Sequence, residues 1–448
     1  MNAVARAADA ELRPLFSEAR ELRAEAARFR AETGVELPDL SVYLHALVPE
    51  ADLTARRERL LRLDAVVGAY VKPSAEPAVV LGPAPRLTAD PPGTTPDFTS
   101  RQGYLDRAPS GVDARYAWNI TGGSGTGVHI IDVEREWRLS HEDLREHQGG
   151  VIGGHPPDDL MPRNHGTAVL GVIGGNRNVF GVTGVSPEAD MSCASVMFES
   201  PLFGLVENTS RGIWLGARAL GPGDILLLEL HRPGPRFGFR HREDQRGFIA
   251  VEWWPCDFAA ILYATYRGVL VVEAAGNGEE DLNDPIYDTP ANDFPPTWVN
   301  PFRRGPLDAG AILVGAGAPP PGTHNHDWGP DRSRLGFSNF GAIVDAQSWG
   351  REVTTSGYGD LQGGTNEDRW YTNQFGGTSS ASPVVAGALA CVQGSLATAR
   401  RPLLTPATAR HALRATGSSQ QVDYGRPLSQ RIGNRPDLRQ LIAFAKGG

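Results

Sequence analysis

From residue 104 onward the apolar residues come in short unbroken runs: GVHIID (127–132), ADMSCASV (189–196), GDILLLEL (223–230), GVLVVEAAGN (268–277) and AILVGAGA (311–318). Runs this short, without polar alternation, predict strands covered on both faces. Between them, apolar positions recur at helical spacing around 166–174, 207–220, 255–268 and 381–399. Strands alternating with helices predict an α/β fold, a mainly parallel β-sheet with helices on both faces and right-handed crossovers. Such sheets bind ligands outside the carboxyl ends of their strands.

The pattern ahead of this region is different. Residues 1–36 carry Leu12, Leu15, Phe16, Ala19, Leu22, Ala26 and Phe29 at three- and four-residue steps, which predicts an amphipathic helix over 9–32. Residues 37–80 read as a small α+β unit, with strand LSVYLHALV, helix ADLTARRERLLRL and strand AVVGAYVKP forming a β-α-β pattern. Residues 81–103 are proline-rich and read as an extended linker, which leaves 104–448 as the main domain.

Composition excludes several roles. A net charge of -9 and no dense basic cluster argue against a nucleic-acid partner. No segment has the roughly 18 uninterrupted apolar residues that span a bilayer, so no membrane partner is expected. The N-terminus is charged throughout and does not read as a signal peptide, so a cytoplasmic location is expected, with non-classical export left open. Three cysteines, Cys193, Cys256 and Cys391, make neither a disulfide framework nor a zinc pattern.

Four polar sites fall near strand ends or helix starts: Asp132 closing GVHIID, His165 in NHGTAVLGVIGG, Asn277 closing GVLVVEAAGN, and Ser379 in GGTSSASPVVAG. Singly, each has a structural reading as a turn residue, a helix cap or a left-handed loop residue. Together, IIDVEREWRLSHEDL, NHGTAVLGVIGG, VVEAAGN and GGTSSASPVVAG resemble, in order, the four signature blocks of the subtilisin-like serine proteases, and the resemblance spans about 104–445. It implies an endopeptidase acting on polypeptide substrates through an acyl-enzyme. Ser379 would be the nucleophile, His165 the base, Asp132 the acid that orients the imidazole, and Asn277 an oxyanion donor beside the backbone N–H of Ser379.

Two departures from the family pattern stand out. Val133 and Glu134 follow Asp132 where a hydroxyl residue and glycine are usual, and the cleft strand reads Glu229-Leu230-His231 in place of Ser-Leu-Gly. Glu229, with Glu252, is a candidate for a negatively charged pocket that selects basic substrate residues. Structural pairing of both glutamates with arginines is an equal reading. If the acidic pocket holds, Arg86 and Arg101 are candidate activation points.

The resemblance further implies no catalytic cofactor and a structural Ca2+ held by Asp143, Asn178 and the carbonyls of Asn176, Phe180 and Val182. Residues 37–80 resemble, by pattern and position, an inhibitory propeptide, so the chain's own N-terminal region is an expected intramolecular inhibitor. The competing reading is a catalytically silent protein that keeps the cleft for binding a peptide or partner. A carboxylate-triad acid protease fits poorly, because His165 and Asn277 stand where that group has carboxylates.

Overall fold

The computed structural model describes residues 12–80, 93–291, 293–305 and 307–447. Seven parallel strands form its central sheet: β1 (His129–Glu134), β2 (Gln148–Gly153), β3 (Asp190–Ser195), β4 (Ile225–Leu228), β5 (Leu270–Ala274), β6 (Ile312–Gly317) and β7 (Val344–Trp349). Their order is β7-β6-β5-β4-β1-β3-β2. The chain enters at β1, lays β3 and β2 to one side and β4 to β7 to the other. The switch point therefore lies between β1 and β4, where a doubly wound sheet opens its crevice.

Five strands occupy the predicted apolar runs. The other two lack that signal for different reasons. β2 is an edge strand with glycines and partly exposed residues. β7 is buried along its length yet carries Asp345, Gln347 and Ser348. Its carboxylate and one amide group find partners inside the body: Asp345 accepts from Arg304 and Arg414, and Gln347 Nε2 donates to the carbonyls of Arg332 and Gly433.

Eight helices matter here: α1 (Ala19–Thr33), α2 (Leu53–Leu61), α3 (Leu160–Gly174), α4 (Thr209–Ala219), α5 (Pro255–Tyr266), α6 (Thr378–Thr398), α7 (Pro406–Ala415) and α8 (Leu438–Ala445). The two-residue period of the strands divides the core. Ile130, Leu227 and Val272 pack with α3, α6 and α8, whereas Ile131, Val133, Leu226, Leu228 and Val271 pack with α4 and α5. Helix α6 is long and apolar enough to cross a membrane, but it is almost wholly buried as the core helix under the sheet.

The N-terminal expectations need correction. Helix α1 starts at Ala19, and Leu15 and Phe16 precede it, with the Phe16 ring edge-on to Trp214 of α4. The β-α-β unit has no sheet of its own. Leu44–His45 pairs with Arg13–Pro14, and Glu76–Pro77 pairs with the strand Leu230–Pro233 of the main body. No strand forms over 65–73, because that stretch binds the body instead. Ala69 N–H donates to the Asp293 carbonyl, Tyr70 packs on Trp254 and Phe294, and Lys72 reaches buried Asp257 at 3.0 Å.

Of the proposed linker, 81–92, including Arg86, lies outside the described residues. Residues 95–103 belong to the main body: Phe98 N–H donates to the Gly181 carbonyl at 2.7 Å, and Gln102 Nε2 to that of Thr183 at 2.8 Å. The Arg101 carbonyl accepts from Thr354 Oγ1 at 3.2 Å within the same body.

Candidate active site

Ser379 is the second residue of α6, where free backbone N–H groups and the helix dipole favour negative charge. The neighbouring serines have structural partners. Ser380 Oγ donates to the carbonyls of Trp349 and Gly377, and Ser382 Oγ lies 2.7 and 2.9 Å from the two carboxyl oxygens of Glu229. Ser379 differs from both. Its backbone N–H donates to the Ala78 carbonyl at 3.2 Å, and its Oγ makes only a long 3.4 Å contact to the Glu229 carbonyl.

Asn277 sits where β5 leads into its loop. Its Oδ1 accepts from Thr378 N and Oγ1, both at 2.9 Å, which fixes the amide and turns Nδ2 toward the cleft. There Nδ2 donates to Gln245 Oε1 at 3.0 Å. Nothing in the sequence pointed to Gln245, a left-handed residue (φ 56) in the loop after Leu230–Pro233. His231 Nδ1 accepts from the Asn277 backbone N–H at 3.2 Å, so it steadies this turn as well as facing Glu76 in register.

The acid beside the imidazole is a correction. His165 lies more than a turn inside α3, with its Nδ1 2.5 Å from Glu134 Oε2. Asp132, expected in that position, instead accepts from Trp137 Nε1 at 2.7 Å. Strand β1 runs two residues past Asp132, so Glu134 is the carboxylate at its carboxyl end. The two-residue period puts both acids on one face, and the longer glutamate side chain reaches α3. The departure VE after Asp132 was the available signal.

His165 Nε2 is buried without a hydrogen-bond partner. Burial holds this imidazole below its ordinary range, so it is neutral in the closed chain, and pushes the carboxyls of Asp132, Glu134 and Glu229 up.

Residues 75–80 lie across these groups as an antiparallel strand. Glu76 and Pro77 pair with His231 and Leu230, Ala78 N–H donates to the Glu229 carbonyl at 3.1 Å, Val79 bridges Gly377, and Val80 N–H donates to the Gly376 carbonyl at 3.1 Å. Upstream, Ala75 N–H donates to Glu207 at 2.9 Å, while Arg135 donates to the Ala75 carbonyl at 2.7 Å. Arg232, itself paired with Glu207 and Asp257, donates to the Pro73 carbonyl. Under this cover Ser379 is 0% exposed, His165 1% and Asn277 2%.

Gly377 must be glycine. Its φ is +109°, and a Cβ there would stand 2.2 Å from the Ala78 carbonyl oxygen. Gly377→Ala is therefore expected to lower kcat/KM on peptides by about 10² or more, through misplacement of the reacting carbonyl. A peptidase assay with circular dichroism as the folding control checks it.

The two glutamates proposed as a charged pocket do not face the cleft. The Glu229 carboxyl turns under α6 onto Ser382, and the residue meets the 75–80 strand through its backbone carbonyl. Glu252 is buried against Glu273, to whose carboxyl its N–H donates at 3.1 Å, and burial pushes its own carboxyl up.

The expected calcium ligands Asp143 and Asn178 lie side by side. Asp143 accepts from Val182 N–H at 2.6 Å and Asn178 Nδ2 at 2.7 Å, while Asn178 Oδ1 accepts from Phe180 N–H. Asn176 contributes Oδ1 as an acceptor for Glu146 N–H. Each of these side-chain oxygens has one N–H donor in this arrangement. Among the described residues no group of three His, Cys, Asp or Glu is placed to hold a metal ion.

The sequence profile described as the Subtilase family, peptidase S8, matches residues 139–433, well over half of the chain, beginning downstream of Asp132 and Glu134. Subtilisin Savinase of Lederbergia lenta is 26% identical over 273 residues, covering 60% of this chain and 77% of that one. Thermitase of Thermoactinomyces vulgaris is 26% identical over 309 residues, covering 65% and 82%. A calcium-dependent protease of Nostoc sp. is 27% identical over 317 residues, 66% of this chain but 42% of that one.

The fold is shared with the solved epidermin leader peptide processing serine protease of Staphylococcus aureus, at TM-score 0.53 and 19% identity over 80% of this chain and 84% of that one. With a profile match over six of the seven sheet strands and the helices that carry His165 and Ser379, the chain belongs to the subtilase family and is a serine-type endopeptidase.

Proposed function

We propose that this endopeptidase works through Ser379, His165 and Glu134, with Asn277 and the Ser379 N–H as oxyanion donors, and that residues 75–80 hold the intact chain inactive. The observation that carries the reading is the Ala78 carbonyl on the Ser379 N–H. A peptide bond already lies in substrate direction at the nucleophile, with Ala78 before it and Val79 after.

In the reaction Ser379 Oγ turns from the Glu229 carbonyl toward the partnerless Nε2 of His165, which takes its proton as Oγ attacks the carbonyl carbon. Glu134 holds the Nδ1–H tautomer and stabilises the imidazolium without taking its proton. Negative charge develops on the carbonyl oxygen at the Ser379 N–H, and the Asn277 amide is the second donor assigned to it. His165 then protonates the leaving amine, and water repeats the sequence on the acyl-enzyme. No step calls for a cofactor.

Ala78 supports a preference for small residues before the scissile bond, and the inward turn of Glu229 removes the basis for selecting basic ones. The test is labelling with a biotinylated fluorophosphonate, followed by peptide mapping, on the chain after its N-terminal region has been detached. The tag is expected on Ser379 and nowhere else. A tag on Ser380 or Ser382, or none on an active preparation, overturns the assignment.

A further inference from the structure

Asp132 and Glu134 are both fully buried, two residues apart on one face of β1, so their carboxyls are neighbours. Each has one oxygen with an N–H donor, Trp137 Nε1 for Asp132 and His165 Nδ1 for Glu134. The remaining oxygens, Asp132 Oδ1 and Glu134 Oε1, have no donor at all. Two acceptors in contact in a dry site require a proton between them. We infer that Asp132 carries that proton and donates it as a hydrogen bond to Glu134, making Asp132 a positioning residue behind the acid that touches His165. This rests on the reading of Glu134 as the imidazole's partner.

The surroundings decide where the proton sits. The other titratable groups that face the pair are His165 on α3, the Cys193 thiol on β3, the Glu229 carboxyl beyond β4 and the Tyr358 hydroxyl. The thiol and phenol are buried and Glu229 is a third acid, so among the described residues the imidazole, once protonated in the reaction, is the cation that faces this group. A second negative charge has nothing to balance it. Glu134 is the group that must be anionic when His165 becomes an imidazolium, so the proton stays on Asp132. The trend agrees: the contact raises Asp132 and lowers Glu134. Asp132 also keeps Glu134 from accepting the imidazole proton, because a carboxylate that already receives a hydrogen bond is a weaker base.

An asparagine at 132 offers the same two contacts, an N–H for Glu134 and an oxygen for Trp137, whereas alanine offers neither. In full-length protein activated by stripping off its N-terminal piece, Asp132→Ala is expected to lower kcat about 10²-fold at little change in KM, as misplacement of a catalytic group does. Asp132→Asn is expected to recover to within about tenfold of the parent, with the acid limb of the pH profile in place. Infrared spectra at neutral pH give a readout that does not depend on turnover. Parent protein labelled with 13C-aspartate is expected to show an isotope-shifted band of a neutral carboxyl, absent from Asp132→Asn.

No isotope-shifted neutral band in the parent overturns the inference even where the variants fail to fold. So does an Asp132→Asn enzyme as impaired as Glu134→Gln. If Glu134→Gln turns over at the parental rate, the reading of Glu134 itself falls, a result distinct from failure of Asp132 alone.

Discussion

Glu134→Gln is expected to lower kcat/KM by about 10⁴, the scale on which a serine protease loses activity when the acid on its imidazole becomes an amide. Glu134 Oε2 at 2.5 Å from His165 Nδ1 fixes which nitrogen carries the proton, so that Nε2 presents a lone pair to Ser379. Glutamine can present its NH2 group to the imidazole, which stabilises the opposite tautomer and puts a proton on the basic nitrogen. The pH profile should move as well. The base works when neutral, so activity rises with pH through the imidazole pKa. Removing a carboxylate makes the cation less favourable, the pKa falls, and the residual acid limb shifts to lower pH. Residues 77–80 are held by backbone contacts to Glu229, Leu230 and Gly376, and for a substrate held the same way KM should change little. Steady-state kinetics across pH checks all three points. A Glu134→Gln enzyme within tenfold of the parent returns the role to Asp132.

Much of the fold was legible because its strands are covered on both faces, and continuous apolar runs such as ILLL and LVVEA have no other simple reading. Ser379, His165 and Asn277 were legible as a group from their motifs, and the structure buries all three beneath residues 75–80 at 2% exposure or less. Three things were not. The run GVHIID points to Asp132 as the acid because its apolar residues end there, whereas the strand continues by one more pleat to Glu134. The sequence reads Glu229 equally as a cleft carboxylate or as the partner of an arginine, whereas it gives residues 75–80 its carbonyl and turns its carboxyl onto Ser382. Residues 65–73 have strand-like apolar spacing, but their partners are Trp254, Phe294 and Asp257, more than 180 residues away in sequence, and local pattern carries no trace of such pairing.

Detaching the region through Ala78 is expected to raise peptidase activity about 10³-fold over the intact chain, and the separated piece added back should inhibit again. The intact chain holds Ser379, His165 and Asn277 at 2% exposure or less, so a substrate must first displace residues 75–80. A tethered segment acts at an effective concentration of about a millimolar, which gives that factor for a segment of micromolar intrinsic affinity. Cutting the backbone within 81–92 should not be enough. The piece is also held by Phe16 on Trp214, Tyr70 on Trp254, buried Lys72 on Asp257 and the Arg232–Pro73 contact, so a nicked chain should stay inhibited until the piece is stripped off by mild denaturant and gel filtration. The cut belongs ahead of residue 93, since Phe98 and Gln102 are anchored to Gly181 and Thr183, and removal through Arg101 would take part of the body with it. A hexapeptide of sequence AEPAVV is expected to be cleaved between alanine and valine by the stripped enzyme, slowly, because it lacks the upstream anchors. Equal activity of the intact and stripped forms, both folded by circular dichroism, would show that residues 75–80 leave the cleft freely and that the N-terminal region serves assembly of the fold instead.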